Sequence, residues 1–330
     1  MGRFKNRPIR VVSHGPACLD GTVAAAVVAR FYGPRRVIAV FAANQESDTV
    51  LQHNAQRWTG RVQELWITDL SWKETTTAAR LAELAHAGTR IYWIDHHRSA
   101  IVRRHAPEFS LPLAGRRLSE RFSAARLVYD YLRQHRARLN SGAREGLEGM
   151  ARLVAMADDH DRWVHRIAGS HDWALAVQAL GGTRSYREIL KLDEPRLTPA
   201  LKAALKAARA AFAQSLALAE ATIVERDLTS GQRLRAACCN GYSSEVASSL
   251  YEGRKATVVA LFDLRSFGVS LRRSPDCGVD LSEVAHSFGG GGHAAAAGFS
   301  LDGLKRFPAE KLAELVGAKI ESAAGIQLPS

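Results

Sequence analysis

The stretch Trp93-Ile94-Asp95-His96-His97 sets one carboxylate and two imidazoles directly behind the apolar residues that begin at Ile91. Two upstream runs finish the same way, Ile9-Arg10-Val11-Val12-Ser13-His14 and Glu64-Leu65-Trp66-Ile67-Thr68-Asp69. Each apolar run reads as a buried strand. In an open parallel sheet the ligand site lies outside the carboxyl ends of the strands, so three strands that each deliver His or Asp at that edge describe one site. Any one of these residues alone is more often a cap or a surface charge; the group at strand ends is what carries the reading. His14, Asp20, Asp69, Asp95, His96, His97 and Asp158 mix imidazole with carboxylate, a set that suits Mn²⁺ or a similar divalent ion better than Ca²⁺. A carboxylate shared between two such ions holds them roughly 3.5–4 Å apart, the arrangement that cleaves phosphate esters with an activated water.

The elements that must position these residues follow from the hydrophobic pattern. Residues 8 to 163 alternate short apolar runs with helical patterns, the signature of a parallel α/β sheet. After the first strand, a Gly/Pro loop through Cys18 and Asp20 opens an apolar helix from Val23 to Arg30. Further strands are predicted at Arg36–Phe41 and up to Asp69 and Asp95. Helices are predicted at Lys73–Ala87, over residues 120–135 and from about Ala143 to Ala157, the last running into Asp158-Asp159-His160-Asp161-Arg162-Trp163. Residues 165 to 195 read as short helices and loops. From Ala200 to about Arg226 good helix formers predominate, with Leu201, Leu205, Ala208, Phe212, Leu216, Ala219 and Ile223 at helical spacing. The expected organisation is a parallel-sheet domain over 1–196, a connecting helix over 197–228 and a smaller α/β domain over 229–330. In the last of these, strands are predicted at Leu234–Cys238, Ala256–Phe262 and Phe267–Arg272, and helices at Glu245–Tyr251, Leu281–Phe288 and Ala309–Ala323.

A second constellation lies in that smaller domain. The glycines from Gly289 to Gly292 before His293 let backbone N–H groups approach an anion, with a helix expected to start near Ala294 and point its positive end there. Alternation along Phe267–Arg272 puts Gly268, Ser270 and Arg272 on one face, which suits a nucleotide lying across the strand with Arg272 gripping phosphate. Arg273 falls on the opposite face and is expected to be solvated.

Composition narrows the classes. Hydrophobic content of 46% with 24% charged residues fits a soluble globular chain, and no apolar run approaches the ~20 residues that span a bilayer. The start, Met1-Gly2-Arg3-Phe4-Lys5, has no signal-peptide apolar region, and Asn6 does not complete a myristoylation motif. Cys18, Cys238, Cys239 and Cys277 form no C-x-x-C pair, which argues against structural zinc or a disulfide framework and for a reducing, cytoplasmic setting. The net charge of +12 favours polyanionic partners such as nucleic acid or nucleotides. The arginines are spread along the chain, so a general arginine bias explains the same charge equally.

The spacing His14-x3-Cys18-x-Asp20-Gly21, then Asp69, then Asp95-His96-His97, then Asp158 resembles the four motifs of the DHH phosphoesterase superfamily. That superfamily includes RecJ-type single-strand exonucleases, oligoribonuclease/pAp-phosphatases, cyclic-di-AMP phosphodiesterases and family II pyrophosphatases. The Gly290–Gly298 stretch resembles the hallmark of the DHH-associated domain. By this resemblance His14, Cys18 and Asp69 hold one ion, and Asp20, Asp69, His96 and Asp158 the other, with Asp69 as the bridge. Asp95 is expected to orient His96, and His97 is expected to face the phosphate. Asp159 is the alternative to Asp158, and Asp161 is expected to hold Arg162 or the neighbouring loop instead. The resemblance assigns substrate binding to Arg272, Gly290, Gly291, Gly292 and His293, and places the active site in a cleft between the two domains. Where the family usually has Asp (H-x3-D-x-D), this chain has Cys18, a softer ligand.

The expected activity is metal-dependent hydrolysis of phosphodiester or phosphomonoester bonds in short oligonucleotides or small nucleotides. Two Mn²⁺ ions are expected, with Mg²⁺ or Co²⁺ as alternatives. The chain has two modest domains, whereas a processive RecJ-type nuclease carries a further nucleic-acid-binding domain. A cyclic-dinucleotide phosphodiesterase and a short-chain polyphosphatase need the same ions and phosphate loop and stay open. A degenerate, non-hydrolytic nucleotide or RNA binder is the rival from another class, and Cys18 is its best support. The sequence admits a homodimer and expects no membrane partner.

Overall fold

The computed structural model describes residues 7–106, 109, 111–135, 137, 141–301 and 309–323. The readings made on residues 1–6 lie outside that set. Chain contacts divide the molecule into two units, residues 1–208 and 209–330.

The first unit is a doubly covered α/β sheet. Its elements in order are β1 (Ile9–His14), α1 (Leu19–Tyr32), β2 (Val37–Ala42), α2 (Ser47–Trp58), β3 (Glu64–Thr68), α3 (Thr75–His86), β4 (Arg90–Asp95), α4 (Arg98–Arg103), β5 (Gly115–Leu118), α5 (Ala124–Arg133), α6 (Ser141–Glu148), α7 (Ala151–Asp161), α8 (Ser170–Leu180) and α9 (Gly182–Ile189). The five strands pair in parallel in the order β2-β1-β3-β4-β5. Helices on both faces bury both sides of the central strands, which is why β3 is buried along its whole length around the apolar run Leu65-Trp66-Ile67. One core cluster is aromatic. Trp72, Trp93 and Phe109 pack with ring centroids 4.9 Å apart, and the Trp93 indole donates to the Leu70 carbonyl at 3.1 Å. Each such side chain leaving water contributes about 1.5–3 kcal/mol.

The sheet adds β5 and the first face adds α2, neither of which the sequence pattern marked. β5 is four residues, Gly-Arg-Arg-Leu, and α2 buries just one side of a polar helix. The helix expected to begin near Ala143 is two helices, α6 and α7, parted at Gly149-Met150, and α7 runs on to Asp161.

The long helix α10 (Pro199–Ala221) contains the division between the units. It stops short of Arg226: Val224–Asp227 form β6, an edge strand antiparallel to the next one. The second unit continues with β7 (Arg233–Cys239), α11 (Ser243–Tyr251), β8 (Thr257–Asp263), β9 (Gly268–Arg273), α12 (Leu281–His286), β10 (Gly291–His293), β11 (Ala296–Ser300) and α13 (Ala309–Ala323). Its six-stranded sheet has the order β10-β11-β9-β8-β7-β6, parallel at β7–β8 and antiparallel elsewhere. Leu234, Val258, Phe262, Leu271 and Phe299 pack with Leu312, Val316 and Ile320 of α13 as its core. No helix among the described residues is long and apolar enough to cross a membrane.

Candidate metal centre

The sheet order reverses between β1 and β3: the chain goes from β1 to β2 on one side and returns to β3 on the other. Loops leaving a reversal diverge and open a crevice at the carboxyl edge. His14 is the last residue of β1 and Asp69 follows β3, so both stand there. Hydroxyl groups tie the two strand ends together. Thr68 Oγ1 donates to Ser13 Oγ at 2.9 Å, and Ser13 Oγ donates to the Gly21 carbonyl at 2.8 Å. Gly21 is demanded by close approach, since a Cβ there would stand 2.1 Å from the His14 carbonyl oxygen. The first turn of α1 thus presses on β1 and delivers Asp20. Asp69 itself has φ 55°, a left-handed conformation that Asp tolerates better than most residues, and its N–H donates to the Ile94 carbonyl at 3.0 Å.

Asp69 is the hub. Its Oδ2 lies 3.5 Å from His14 Nδ1 and 3.5 Å from Cys18 Sγ. Its Oδ1 lies 3.2 Å from His96 Nε2 and 3.8 Å from His97 Nδ1. His96 Nε2 in turn approaches Asp161 Oδ2 at 3.5 Å and Asp20 Oδ2 at 3.9 Å. Two donor groups therefore share one carboxylate: His14, Cys18 and Asp69 on one side, Asp20, His96 and Asp161 on the other. Asp69 Oδ1 is buried yet has no hydrogen-bond partner in good alignment among the described residues. A bare buried carboxylate oxygen is costly, and a cation is the partner that removes the cost. Both groups mix hard oxygen with imidazole, so the donor set fits a divalent ion of the Mn²⁺ type.

Charge crowding shows in the proton affinities. Burial would push the Asp69 carboxyl up, but the His14 and His96 imidazoles beside it outweigh that and hold it well below the usual range. Burial, and then the charges of Asp69 and Asp161, push Asp20 well up. Burial works against a charged His96, yet Asp69, Asp161 and Asp20 around it raise it to about 11. His97 is raised to about 9 against the same burial, chiefly by Asp95. Burial and the neighbouring acids Asp69, Asp20 and Asp161 keep the Cys18 thiol high. Without a cation these acids can share the space only by holding protons.

Two expectations are corrected by the geometry. Asp158 does not reach the cluster. Its Oδ1 accepts from the Ser123 N–H at 2.7 Å, just before α5, while its Oδ2 pairs with Arg162 at 3.3 Å. Asp159 accepts from Arg166 N, Ile167 N and Ser170 Oγ and anchors the following loop. Because α7 continues one turn past Ala157, it is Asp161 that arrives beside His96. Asp95 also has a different task. Its Oδ1 accepts from His97 Nδ1 at 2.7 Å and from the backbone N–H groups of His96 and His97, so it orients the ring of His97 and not that of His96. Asp20 doubles as a helix cap, accepting from Ala124 N at 2.7 Å and Ala125 N at 2.8 Å. The N-terminus of α5 and the site share this acid.

In the second unit, the helix expected at Ala294 is absent. Gly291–His293 and Ala296–Ser300 form a β-hairpin, so any anion held there would meet backbone N–H groups and not a helix end. Gly290 is required by packing, since a Cβ would meet the Gly298 carbonyl oxygen at 2.2 Å, whereas Gly291 faces open space. In this register Arg272 pairs with Ala296, and Ala296 with His293. Directly opposed residues share a face, so Arg272 and His293 flank the small Ala296 on one side of the sheet. The half-buried Arg272 donates to Ser244 Oγ at 2.7 Å at the start of α11, with the Glu245 charge near it. Arg273, expected in solvent, is half-buried: it donates to the carbonyls of Ala294 and Cys277 and braces the hairpin turn.

Comparison with known proteins agrees with this layout. Residues 232–324 match the model of the DHHA1 domain. Oligoribonuclease NrnB of Bacillus subtilis (strain 168) is 27% identical over 258 residues, covering 73% of this chain and 60% of NrnB, so the chain spans less than two thirds of that relative. Two solved structures share the fold. A DHH-domain member of the s1p family of ribosomal proteins superposes with a TM-score of 0.69 at 14% identity, covering 98% of this chain and 88% of its own. RecJ of Thermus thermophilus, solved in complex with Mn²⁺, gives 0.56 at 17% identity, covering 99% of this chain and 53% of its own. Domain match, relative and fold agree with the motif geometry at β1, β3 and β4, and together they support a likeness of this chain to the DHH phosphoesterase superfamily.

Proposed function

We propose that the chain is a metal-dependent phosphoesterase that hydrolyses phosphate esters of short oligonucleotides or small nucleotides. The observation that carries this reading is Asp69, whose two oxygens face separate donor groups as a bridging carboxylate must. His14, Cys18 and Asp69 would hold one ion, and Asp20, Asp69, His96 and Asp161 the other. Bound Mn²⁺, with Mg²⁺ or Co²⁺ as alternatives, supplies an activated water and neutralises charge on the phosphoryl oxygens. His97, kept protonated by Asp95 on Nδ1, would present Nε2–H to a phosphate oxygen. Arg272, His293 and the open backbone at Gly291 would grip a terminal phosphate or nucleotide. NrnB is an oligoribonuclease, which supports short RNA as the first substrate to try.

The test is release of mononucleotide from a 5′-labelled RNA dinucleotide in the presence of Mn²⁺. Cleavage that EDTA abolishes and added Mn²⁺ restores is the expected result. A second reading, nucleotide binding without hydrolysis, draws on Cys18, a thiol that holds its proton tightly where the family carries a carboxylate. It predicts silence in the wild type and cleavage on Cys18→Asp. Silence in both proteins toward oligonucleotides, cyclic dinucleotides and short polyphosphate alike overturns the enzymatic reading.

A further inference from the structure

One residue before Asp161, a different set of ligands gathers. His160 at the end of α7, His165 in the following loop and His171 at the start of α8 bring their ring nitrogens to within 4.8 Å of one another. The three ring centroids form a nearly even triangle, at 5.5 Å for His160–His165, 5.8 Å for His160–His171 and 5.9 Å for His165–His171. His160 Nδ1 is buried and has no hydrogen-bond partner among the described residues. Adjacent positions on a helix point about 100° apart, so His160 faces away from the cluster that Asp161 joins. No donor is shared between the two groups.

The loop that carries His165 is built. Asp159 accepts from Arg166 N at 2.8 Å, Ile167 N at 3.2 Å and Ser170 Oγ at 2.6 Å, which fixes the path from α7 to α8. Trp163 and His165 both adopt left-handed φ values, 55° and 52°, conformations that cost a non-glycine residue and persist where surroundings enforce them. The Trp163 ring stacks edge-on to His165 at 4.4 Å and walls one side of the triangle.

We propose that His160, His165 and His171 form a separate site for Zn²⁺. Neutral imidazole is a ligand of choice for this ion, and three of them leave the fourth tetrahedral position to water. Zn–N bonds of roughly 2.0–2.1 Å require the donors about 3.4 Å apart, a closure within reach of side-chain rotation at the exposed His165. None of its three donors is a carboxylate, which sets this site apart from the Asp69 centre. Bound zinc would clamp the end of α7 to the start of α8 and steady the adjacent Asp161.

The test uses the full chain, stripped with chelator, saturated with Mn²⁺ and dialysed against Zn²⁺, with bound metals read by elemental analysis. Asp69→Asn, which removes the carboxylate shared by the mixed centre, is expected to retain about one Zn²⁺ per chain, and the addition of His165→Ala to cost at least about 100-fold in Zn²⁺ affinity. His171→Gln, whose side chain keeps polarity and bulk, is the second variant should His165→Ala misfold by circular dichroism. Zinc X-ray absorption of Asp69→Asn reads the shell directly: three imidazole nitrogens are expected. Sulfur or carboxylate in place of imidazole, unchanged affinity in the histidine variants, or zinc lost on Asp69→Asn overturns the proposal.

Discussion

Under the proposed function, the Asp69 centre and the Gly290–Gly298 hairpin would meet a phosphate in opposite ways. At the centre, side chains do the work and the backbone is fully used: strand ends pair, Asp20 is spent twice, and acids are packed so closely that they need a cation. At the hairpin, side chains are missing and the backbone is on offer, because β10 is an edge strand and Gly291 leaves its face open. The first arrangement suits stabilising charge that changes during reaction, and the second suits holding charge that does not. Substitutions at the centre are therefore expected to act on kcat and metal content, and those at the hairpin on KM.

The sharpest way to break that contrast is Asp69→Asn. Loss of the shared carboxylate should lower kcat on the order of 10³-fold and reduce bound Mn²⁺ measured by elemental analysis. Activity within a few fold of wild type would show that Asp69 bridges nothing. Next comes a pair of substitutions on neighbouring turns of α7. Asp161→Asn should lower kcat by about 100-fold with the fold intact. Asp158→Ala should instead cost about 1 kcal/mol of stability in urea unfolding, as loss of a capping acceptor does, and leave kcat near wild type. The reverse outcome would restore Asp158 as the ligand.

Proton competition gives a third separation. The metal-free chain holds His96 charged up to about 11. Mn²⁺ must displace that proton, so affinity rises with pH, up to about tenfold per pH unit for each proton released. Calorimetry in buffers of different ionisation heat would count the protons. Substrate binding to a metal-free chain, resting on Arg272, His293 and backbone N–H groups, should change little between about pH 7.5 and 8.5, above the ordinary ranges of histidine and of a phosphate's second proton. The smallest expected effect is at the hairpin: Gly291→Ala should raise KM about fivefold at unchanged kcat. Gly290→Ala, whose Cβ would strike the Gly298 carbonyl, should lower the melting temperature instead.

Much of the molecule is legible from residue order. β1, β3 and β4 announce themselves because both faces are largely buried, which concentrates apolar residues such as Val11-Val12, Leu65-Trp66-Ile67 and Trp93-Ile94 in them. The polar residue that ends each run is then conspicuous. β5, α2 and β6 are not legible, since a four-residue edge strand and a polar surface helix bury too little to leave a period. Asp158 passes for the ligand because acids and an imidazole crowd behind an apolar run, and the sequence does not say that the helix lasts one more turn. The Ala294–Ala297 run has high helix propensity, but pairing with β9 decides its conformation, an example of tertiary context overriding local preference.

The Ser13–Thr68 hydroxyl latch has a consequence in time. By joining the ends of two central strands to the first turn of α1, it places the candidate ligands His14, Asp20 and Asp69 inside the segment expected to open last. Amide protons at Gly21, Asp69 and Ile94 should then exchange with deuterated solvent at the slow rate set by global unfolding, while the edge strand β10 exchanges by local fraying. A centre embedded in that way does not loosen by degrees as the chain warms. It persists until the whole sheet gives way.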